Sequence, residues 1–278
     1  MRIAVVSGKG GAGKTTFTIL LSDYLTNMNK RVLVADLDVE EPNVNLFFKK
    51  HLNYSDIDTY FPKHIQENCT YCKECAEKCL FNALIVAKDF WLAVPELCHS
   101  CKLCEHVCRF SAIVEDKRKI GEIGKSFENL PHLIEGQLNI GESLATALIE
   151  RVKNEIDNIK DNYDFILMDA PPGTSCPAIE TCKDADRIIV VAEDTPFGFS
   201  DFKVLSAMLK EIKKDFTLVI NKFTDGHDFF EYAEENDIDI MGIIPFDKKI
   251  VEDYATGGKL KSNVNFEDIL MYIYGDKN

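Results

Sequence analysis

The apolar run RIAVV at residues 2–6 ends one residue before GKGGAGKTT at residues 8–16, and a helical pattern takes over at Thr15. A buried strand that passes through a glycine loop directly into a helix leaves little choice of architecture. Glycines let a backbone close tightly around a ligand. The N–H groups of the first helical turn, reinforced by the helix dipole, favour an anion there. In this strand–loop–helix setting the segment predicts a phosphate loop made by Gly8, Lys9, Gly10, Gly11, Ala12, Gly13, Lys14, Thr15 and Thr16. Lys14 is expected on the β- and γ-phosphates of a nucleotide, and the Thr15 hydroxyl on Mg²⁺.

Downstream, short apolar runs recur between turn residues: RVLVAD, DFILMD, RIIVVA, TLVIN and IMGIIP. Near-continuous runs of this kind suit strands covered on both faces, as in a parallel sheet. Helical patterns over residues 15–27, 141–159 and 201–214 lie between them. The expected fold is therefore α/β, a mostly parallel P-loop sheet with helices on both faces. The 278 residues suffice for one large domain with a small insert, and a hydrophobic content of 46% is enough to bury its core. Residues 118–139 carry Gly121, Gly124 and Gly136 without a firm period and are expected to form connecting hairpin or loop.

Lys+Arg 32 against Asp+Glu 46 leaves a formal charge of −14. That disfavours nucleic acid as a partner, because such affinity is mostly neutralisation of phosphate by Lys and Arg. No apolar run reaches the roughly 18–20 residues of a membrane span. The opening MRIAVVSGKGG has none of the regions of a secretory signal. A cytoplasmic setting with no membrane partner is expected.

Eight of the ten cysteines interrupt the strand–helix alternation between residues 66 and 117. In a reducing compartment they suggest metal binding before disulfides. CTYCKECAEKCLFNALIV from Cys69 and CHSCKLCEHVCRFSAIV from Cys98 superpose at a constant offset of 29 residues, with Phe81 and Ala83 falling on Phe110 and Ala112. The phrase is an internal duplication. Its spacing, C-x₂-C-x₂-C-x₃-C, resembles that of two-cluster bacterial ferredoxins, where three thiolates wrap one cluster and the fourth ligates the other. The resemblance implies one [4Fe–4S] cluster on Cys69, Cys72, Cys75 and Cys108 and a second on Cys79, Cys98, Cys101 and Cys104. Two structural Zn(Cys)₄ sites are the competing reading, although zinc modules usually separate their CxxC pairs by a longer spacer. Leu80 and Arg109 stand where such ferredoxins place proline. The chain thus divides into an ATPase domain, residues 1–65 and 118–278, and an inserted bacterial-ferredoxin-like α+β domain, residues 66–117.

With its extra Lys9, the glycine loop resembles the deviant Walker A motif KGGxGKT of the MinD/ParA/Mrp superfamily of P-loop ATPases, which includes the nitrogenase iron protein. The resemblance implies that Lys9 reaches the nucleotide of the opposite subunit, so that ATP or ADP sits in a homodimer interface. VADLDVEEPN is similar to the superfamily's switch I, which puts Asp36 near Mg²⁺ and makes Asp38 the carboxylate that orients the attacking water. Capping of the next turn is the plainer reading of both. DFILMDAPPGT resembles Walker B with switch II: Asp169, at a strand's carboxyl edge, would hold Mg²⁺ through water, and Gly173 would sense the γ-phosphate by its N–H. Asn221 is similar to the superfamily's adenine contact, and Pro245 and Asp247 stand where relatives line the base pocket. Cys176 matches the spacing at which the nitrogenase iron protein holds a cluster between subunits, which implies a place near the dimer axis; a small buried cysteine is the plainer reading. Cys182 reads as packing.

These resemblances imply an ATP-hydrolysing homodimer that couples nucleotide state to electron transfer through two [4Fe–4S] clusters, toward a redox partner. An Mrp-type carrier that hands a cluster to an acceptor protein is the alternative, although eight intramolecular thiolates favour retention. A MinD- or ParA-like positioning role fits less well. The tail NFEDILMYIYGDKN lacks the basic amphipathic face of a surface-binding helix, and the acidity argues against DNA.

Overall fold

The structure is a computed structural model and describes residues 1–224, 227–256, 258, 260 and 266–274. In chain order, β1 (Arg2–Val6) leads into α1 (Lys14–Asn27), β2 (Val32–Asp36), the short α2 (Asn45–Phe48) and the long β3 (Asn53–His64). Beyond β3 lie α3 (Glu74–Glu77), the hairpin β4 (Leu84–Ala87) and β5 (Phe90–Ala93), and α4 (Leu103–Val107). The chain returns through β6 (Ile113–Ser126), β7 (His132–Leu138) and α5 (Ala145–Ile159). Strands and helices then alternate: β8 (Phe165–Asp169), α6 (Cys176–Lys183), β9 (Arg187–Glu193), α7 (Pro196–Glu211) and β10 (Thr217–Phe223). The last are α8 (His227–Glu235), β11 (Ile240–Pro245), α9 (Lys248–Ala255) and α10 (Glu267–Tyr274).

Among the described residues the main sheet has nine strands in the order β11-β10-β9-β1-β8-β2-β7-β6-β3. Neighbours are parallel from β11 through β7. The central runs VLVAD and FILMD are buried at every position, because helices cover both faces. On one face Leu33, Ile134 and Ile166 pack with Leu148 and Val152 of α5 and Phe202 of α7. On the other, Val34 and Leu167 pack with Phe17 and Leu21 of α1 and Ile269 of α10.

Of the two expectations for residues 118–139, hairpin or loop, the hairpin holds. These residues supply most of β6 and all of β7, with β7 parallel to β2 and β6 antiparallel to β7. The glycines hide this from a hydropathy pattern, and the packing demands them. A Cβ at Gly121 would lie 2.4 Å from the Gln137 carbonyl, and one at Gly136 would lie 2.7 Å from Val39. Two helix boundaries also differ from expectation. Helix α7 starts at Pro196 instead of residue 201, because Thr195 Oγ1 accepts the Gly198 N–H at 3.0 Å and caps the helix early. Helix α5 starts at Ala145 instead of residue 141. Ahead of it the Glu142 carboxylate takes the N–H groups of Ser143 and Leu144.

Strand β3 pairs antiparallel with β6 along its whole length, from Asn53 opposite Lys125 to His64 opposite Ile113. Pairing of β6 with β7 reaches only as far as Gly121 opposite Leu138. From there the two-stranded ribbon projects past the carboxyl edge of the parallel strands, for roughly 25 Å at 3.3 Å per residue. The cysteine segment stands at its tip, on the side of the sheet where β1 delivers the glycine loop.

No helix among the described residues is long and apolar enough to cross a membrane. In the tail, Ile269, Leu270 and Ile273 of α10 are buried in the core; residues 265 and 275–278 of that segment lie outside the described residues.

Candidate functional site

The glycine loop has the backbone that its sequence requires. Gly11 and Gly13 adopt φ of 79° and 98°, a region that favours glycine. A Cβ on Gly13 would approach Asn221 Nδ2 to 2.1 Å, and one on Gly8 would approach the Asp201 backbone to 2.6 Å. Three side chains from the ends of β9 and β10 brace the loop. Asn221 Nδ2 donates to the Ala12 carbonyl at 2.8 Å, Lys222 Nζ donates to the Gly11 carbonyl at 3.1 Å, and Lys9 Nζ pairs with Glu193 at 2.8 Å. Glu193 also pairs with Lys222 at 2.9 Å. Burial disfavours the Glu193 carboxylate, but the two lysines outweigh it and hold its pKa below the usual range.

Behind the loop, Asp169 at the end of β8 is fully buried and accepts from Lys14 Nζ at 3.0 Å, Thr15 Oγ1 at 2.6 Å and Thr18 Oγ1 at 3.3 Å. Burial works against the Lys14 ammonium, yet Asp169 and then Asp38 outweigh it and raise its pKa. Asp38 Oδ2 lies 4.0 Å from Lys14 Nζ, and burial pushes the Asp38 carboxyl up to about 6. Asp36 caps the switch turn through the N–H groups of Asp38, Asn43 and Val44. Burial, with Asp169 close by, pushes Asp36 up to about 8. The Gly173 N–H donates to the Ser7 carbonyl at 2.8 Å.

A cleft of about 320 Å³ opens in front of this group. Lys9, Gly10, Gly11, Gly13, Lys14, Thr15, Thr16, Asp38, Asn221, Pro245 and Asp247 line it. Gly8, Ala12, Asp36, Asp169 and Gly173 do not. Sequence reasoning missed Lys222, Glu193, Thr18, Phe246 and Tyr254. Glu193 and Lys222 each lie at or beside the carboxyl end of a buried run, where ligands collect in open α/β sheets. Thr18 follows Lys14 by four residues on α1 and so shares its face. Tyr254 reaches the cleft from α9, its ring tilted against Phe47 of α2 with centroids 4.7 Å apart; no local motif marks it.

At the ribbon tip the duplicated phrase is duplicated in backbone as well. Left-handed residues Tyr71, Lys73 and Asn82 recur 29 positions on as Ser100, Lys102 and Ser111. The turns Gln66–Asn68 and Pro95–Leu97 recur likewise, as do α3 and α4. Each unit carries the same N–H to sulfur contact, Ala83 to Cys79 Sγ at 3.4 Å and Ala112 to Cys108 Sγ at 3.3 Å. Two small apolar chambers result. Cys69, Cys72, Cys75 and Cys108 line one, with Val86 and Trp91; Cys79, Cys98, Cys101 and Cys104 line the other, with Tyr60, Pro62 and Leu84. The fourth cysteine of each phrase crosses to the chamber of the other phrase. Burial pushes the Cys75, Cys98 and Cys104 thiols up. Among the described residues, no group of three or more His, Cys, Asp or Glu side chains is arranged to hold a single metal ion.

Cys176 is exposed as the first residue of α6 and is not buried as its plainer reading had it; it lines neither chamber. Cys182 is buried in the core beneath α5, and burial pushes its thiol up to about 12.

Residues 1–222 match the AAA_31 family, described as an AAA domain. An uncharacterized protein of Methanocaldococcus jannaschii is 37% identical over 251 residues, covering 89% of this chain and 85% of that protein. An uncharacterized ATP-binding protein of the same organism is 24% identical over 255 residues, covering 90% and 87%. The septum site-determining protein MinD of Pyrococcus horikoshii OT3, complexed with Mg-ADP, superposes with a TM-score of 0.56 at 18% identity, covering 99% of this chain and 96% of its own. The fold is that of MinD, and the chain belongs to the AAA_31 family of AAA domains.

Proposed function

We propose that the protein is an ATP-hydrolysing homodimer whose nucleotide state governs electron transfer through two [4Fe–4S] clusters held by residues 66–117. The observation that carries this reading is the pair of four-cysteine chambers, each completed by a cysteine from the other phrase and raised on a ribbon over the nucleotide edge of the sheet. The residues fit the group. Eight thiols face two apolar chambers, and N–H groups already point at three of their sulfurs. A single tetrahedral zinc draws its thiolates to about 3.8 Å from one another. The chamber thiols are not gathered for one ion, whereas a cubane keeps its ligands further apart. When bound, such clusters accept and donate single electrons.

ATP binding is supported by the ATP-binding relative, the Mg-ADP complex of MinD and the lining of the cleft. On this reading the Lys14–Asp169 pair is exchanged when nucleotide enters. Lys14 would meet the β- and γ-phosphates, and Thr15, Asp36 and Asp169 would hold Mg²⁺, which would offset the phosphate charge. Asp38 sits beside Lys14, where the γ-phosphate would lie, and its carboxylate orients the attacking water. Lys9 leaves Glu193 for the nucleotide of the opposite subunit, and Asn221, Pro245 and Asp247 hold the base. Exposed Cys176 would face the opposite subunit.

Oxygen-free preparation with iron and sulfide analysis, EPR, and nucleotide binding tests the proposal. About eight irons per chain are expected from two cubanes, together with reducible signals and adenine nucleotide affinity. Stoichiometric zinc in place of iron, or no nucleotide affinity, refutes it. Redox cycling beside an apo-acceptor without loss of iron supports electron transfer; stoichiometric loss of iron refutes it in favour of a carrier.

A further inference from the structure

The two chambers are not equivalent in their attachment to the ATPase body. Along the ribbon, Tyr60 and Pro62 line the chamber of Cys79, Cys98, Cys101 and Cys104, whereas Ile113, opposite His64 at the tip, lines that of Cys69 and its partners. The first chamber is proximal and the second distal. Cys98 directly follows the Pro95–Leu97 turn that the body touches at Glu96.

Arg118 of β6 makes the contact. Its Nη2 donates to the Cys98 carbonyl at 3.3 Å and to Glu142 Oε1 at 3.1 Å, and its Nη1 donates to Glu142 Oε2. The pair is mostly buried, with side chains 16% and 5% exposed. Ser143 Oγ adds a bond to the Glu96 carbonyl at 3.5 Å. The Glu142 carboxylate is itself fixed at the start of α5 by the N–H groups of Ser143 and Leu144. Bidentate arginine–carboxylate pairs hold orientation as well as distance, so the Cys98 main chain is tied to the segment that leads into α5. Contacts described around the distal chamber are to the insert and to the ribbon tip: the Tyr71 N–H to Cys69, the Ala112 N–H to Cys108, Arg109 to Glu74, the Ile65 N–H to the Ala112 carbonyl, and His64 of β3 stacked on Trp91 with ring centroids 4.9 Å apart.

Helix α5 is in turn fastened to α6. About 12 Å along it from Ala145, Lys153 Nζ meets Glu180 Oε1 at 2.7 Å and Asp184 Oδ2 at 2.7 Å, both at the end of α6. Helix α6 directly follows the segment that leaves Asp169. The covalent chain through residues 170–175, then the Lys153 ion pairs and the Arg118–Glu142 pair, join Asp169 to Cys98.

We propose that the Arg118–Glu142 clamp makes the proximal chamber the nucleotide-responsive one. Movement of α6 that follows nucleotide exchange shifts α5, and α5 carries the shift through Glu142 and Arg118 to the Cys98 backbone. The inference rests on the nucleotide and cluster reading given above. It makes Arg118 a positioning residue, not a catalytic one.

The test uses the full chain, prepared without oxygen, as wild type, Arg118→Met and Glu142→Gln. Iron per chain, nucleotide Kd, EPR of the reduced protein with Mg-ADP or Mg-ATP, and amide exchange at residues 95–98 and 68–75 are measured. In wild type, nucleotide should alter one of the two reduced signals and the exchange of residues 95–98, leaving residues 68–75 unchanged. In both variants iron and Kd should stay at wild-type values while the response at residues 95–98 falls by about fivefold. An undiminished response in either variant, or a wild-type response centred on residues 68–75, overturns the proposal. If Arg118→Met loses iron, Glu142→Gln, which keeps the side-chain volume and the carbonyl acceptor, decides. A wild-type chain that holds no iron, or binds no nucleotide, instead overturns the reading beneath the proposal, and iron analysis and Kd tell the two failures apart.

Discussion

Replacing Lys153 by methionine gives the sharpest test of how α5 and α6 are held together. Lys153 is 6% exposed, and its Nζ lies 2.7 Å from Glu180 Oε1, 2.8 Å from the Glu180 carbonyl and 2.7 Å from Asp184. Methionine keeps the apolar stem and removes the charge. Glu180, also 6% exposed, is then left with Lys183 alone, whose own side chain is 58% exposed. Deleting one partner of a buried ion pair costs about 3–5 kcal/mol, and the surviving lysine argues for the lower end, about 3 kcal/mol. Unfolding entropy of about 2.1 cal/mol/K per residue amounts to about 0.6 kcal/mol/K for a chain of this length, so Tm should fall by about 5 °C.

Calorimetry in one anaerobic buffer reads the shift. The double substitution Lys153→Met with Glu180→Leu should recover most of the loss, because an apolar pair of similar volume is near neutral against a buried ion pair. The pH dependence has a definite sign. Burial disfavours the Glu180 carboxylate, but Lys153 and Lys183 outweigh it and hold its pKa below the ordinary 4.5. A depressed folded-state pKa contributes stability above the unfolded value, and that stability is lost as pH falls through the folded one. The deficit of Lys153→Met should therefore narrow as pH falls below 4.5. A single variant melting within about 1 °C of wild type, or a double variant no better than the single, refutes the reasoning.

Other substitutions separate the roles within the cleft. Lys14→Ala should weaken nucleotide binding by about 100-fold or more, read by calorimetric titration, since it truncates a buried charge aimed at phosphate. Asp38→Ala should leave nucleotide Kd within about threefold of wild type and lower the hydrolysis rate by about 10²–10⁴; phosphate release measures it. Glu193→Gln should free Lys9 and lower the ATP concentration needed for dimerisation by about 2–5-fold, a modest effect because the pair is partly exposed; light scattering during an ATP titration shows it.

Much of the fold is legible because buried parallel strands write themselves as unbroken apolar runs. VLVAD, FILMD and RIIVV each became a strand at the expected place. Strand β3 was not legible, and of β6 and β7 only the possibility of a hairpin was. The ribbon of β3 and β6 has much of its surface in water, and charged residues such as Asp56, Asp58, Lys117 and Lys119 occupy positions that a buried strand would fill with valine. Pairing sets that segment, and pairing is not local. The phosphate loop and the cysteine phrase were legible for the opposite reason: each is short enough for spacing to fix its geometry. Glu193, Lys222 and Tyr254 were not, since they reach the cleft from three elements far apart in sequence, and only the sheet order brings them together.

The placement of the chambers depends on one feature that no motif carries. Ile57 pairs with Gly121 and Asp58 with Lys119, so Ile120 is an extra residue on β6. Side chains alternate across a strand, so an inserted residue turns every later one to the other face and bends the strand. Ile120 is 1% exposed and packs in the core beneath α5, which pins the bulge where the ribbon leaves the sheet. Beyond it, Tyr60 reaches Cys104 Sγ at 3.8 Å, and Arg118 reaches Glu142. Without the extra residue Lys119 would still stand opposite Asp58, but the bend that the bulge gives the ribbon where it leaves the sheet would be lost, and with it the approach of Tyr60 to the chamber and of Arg118 to α5. Deleting Ile120 should therefore leave the eight cysteines and the phosphate loop intact in sequence while uncoupling them in space. Retained nucleotide binding with no nucleotide effect on residues 95–98 is the expected outcome. An undiminished effect would mean that the route between cleft and cysteines does not depend on where this bulge sets Arg118 against Glu142.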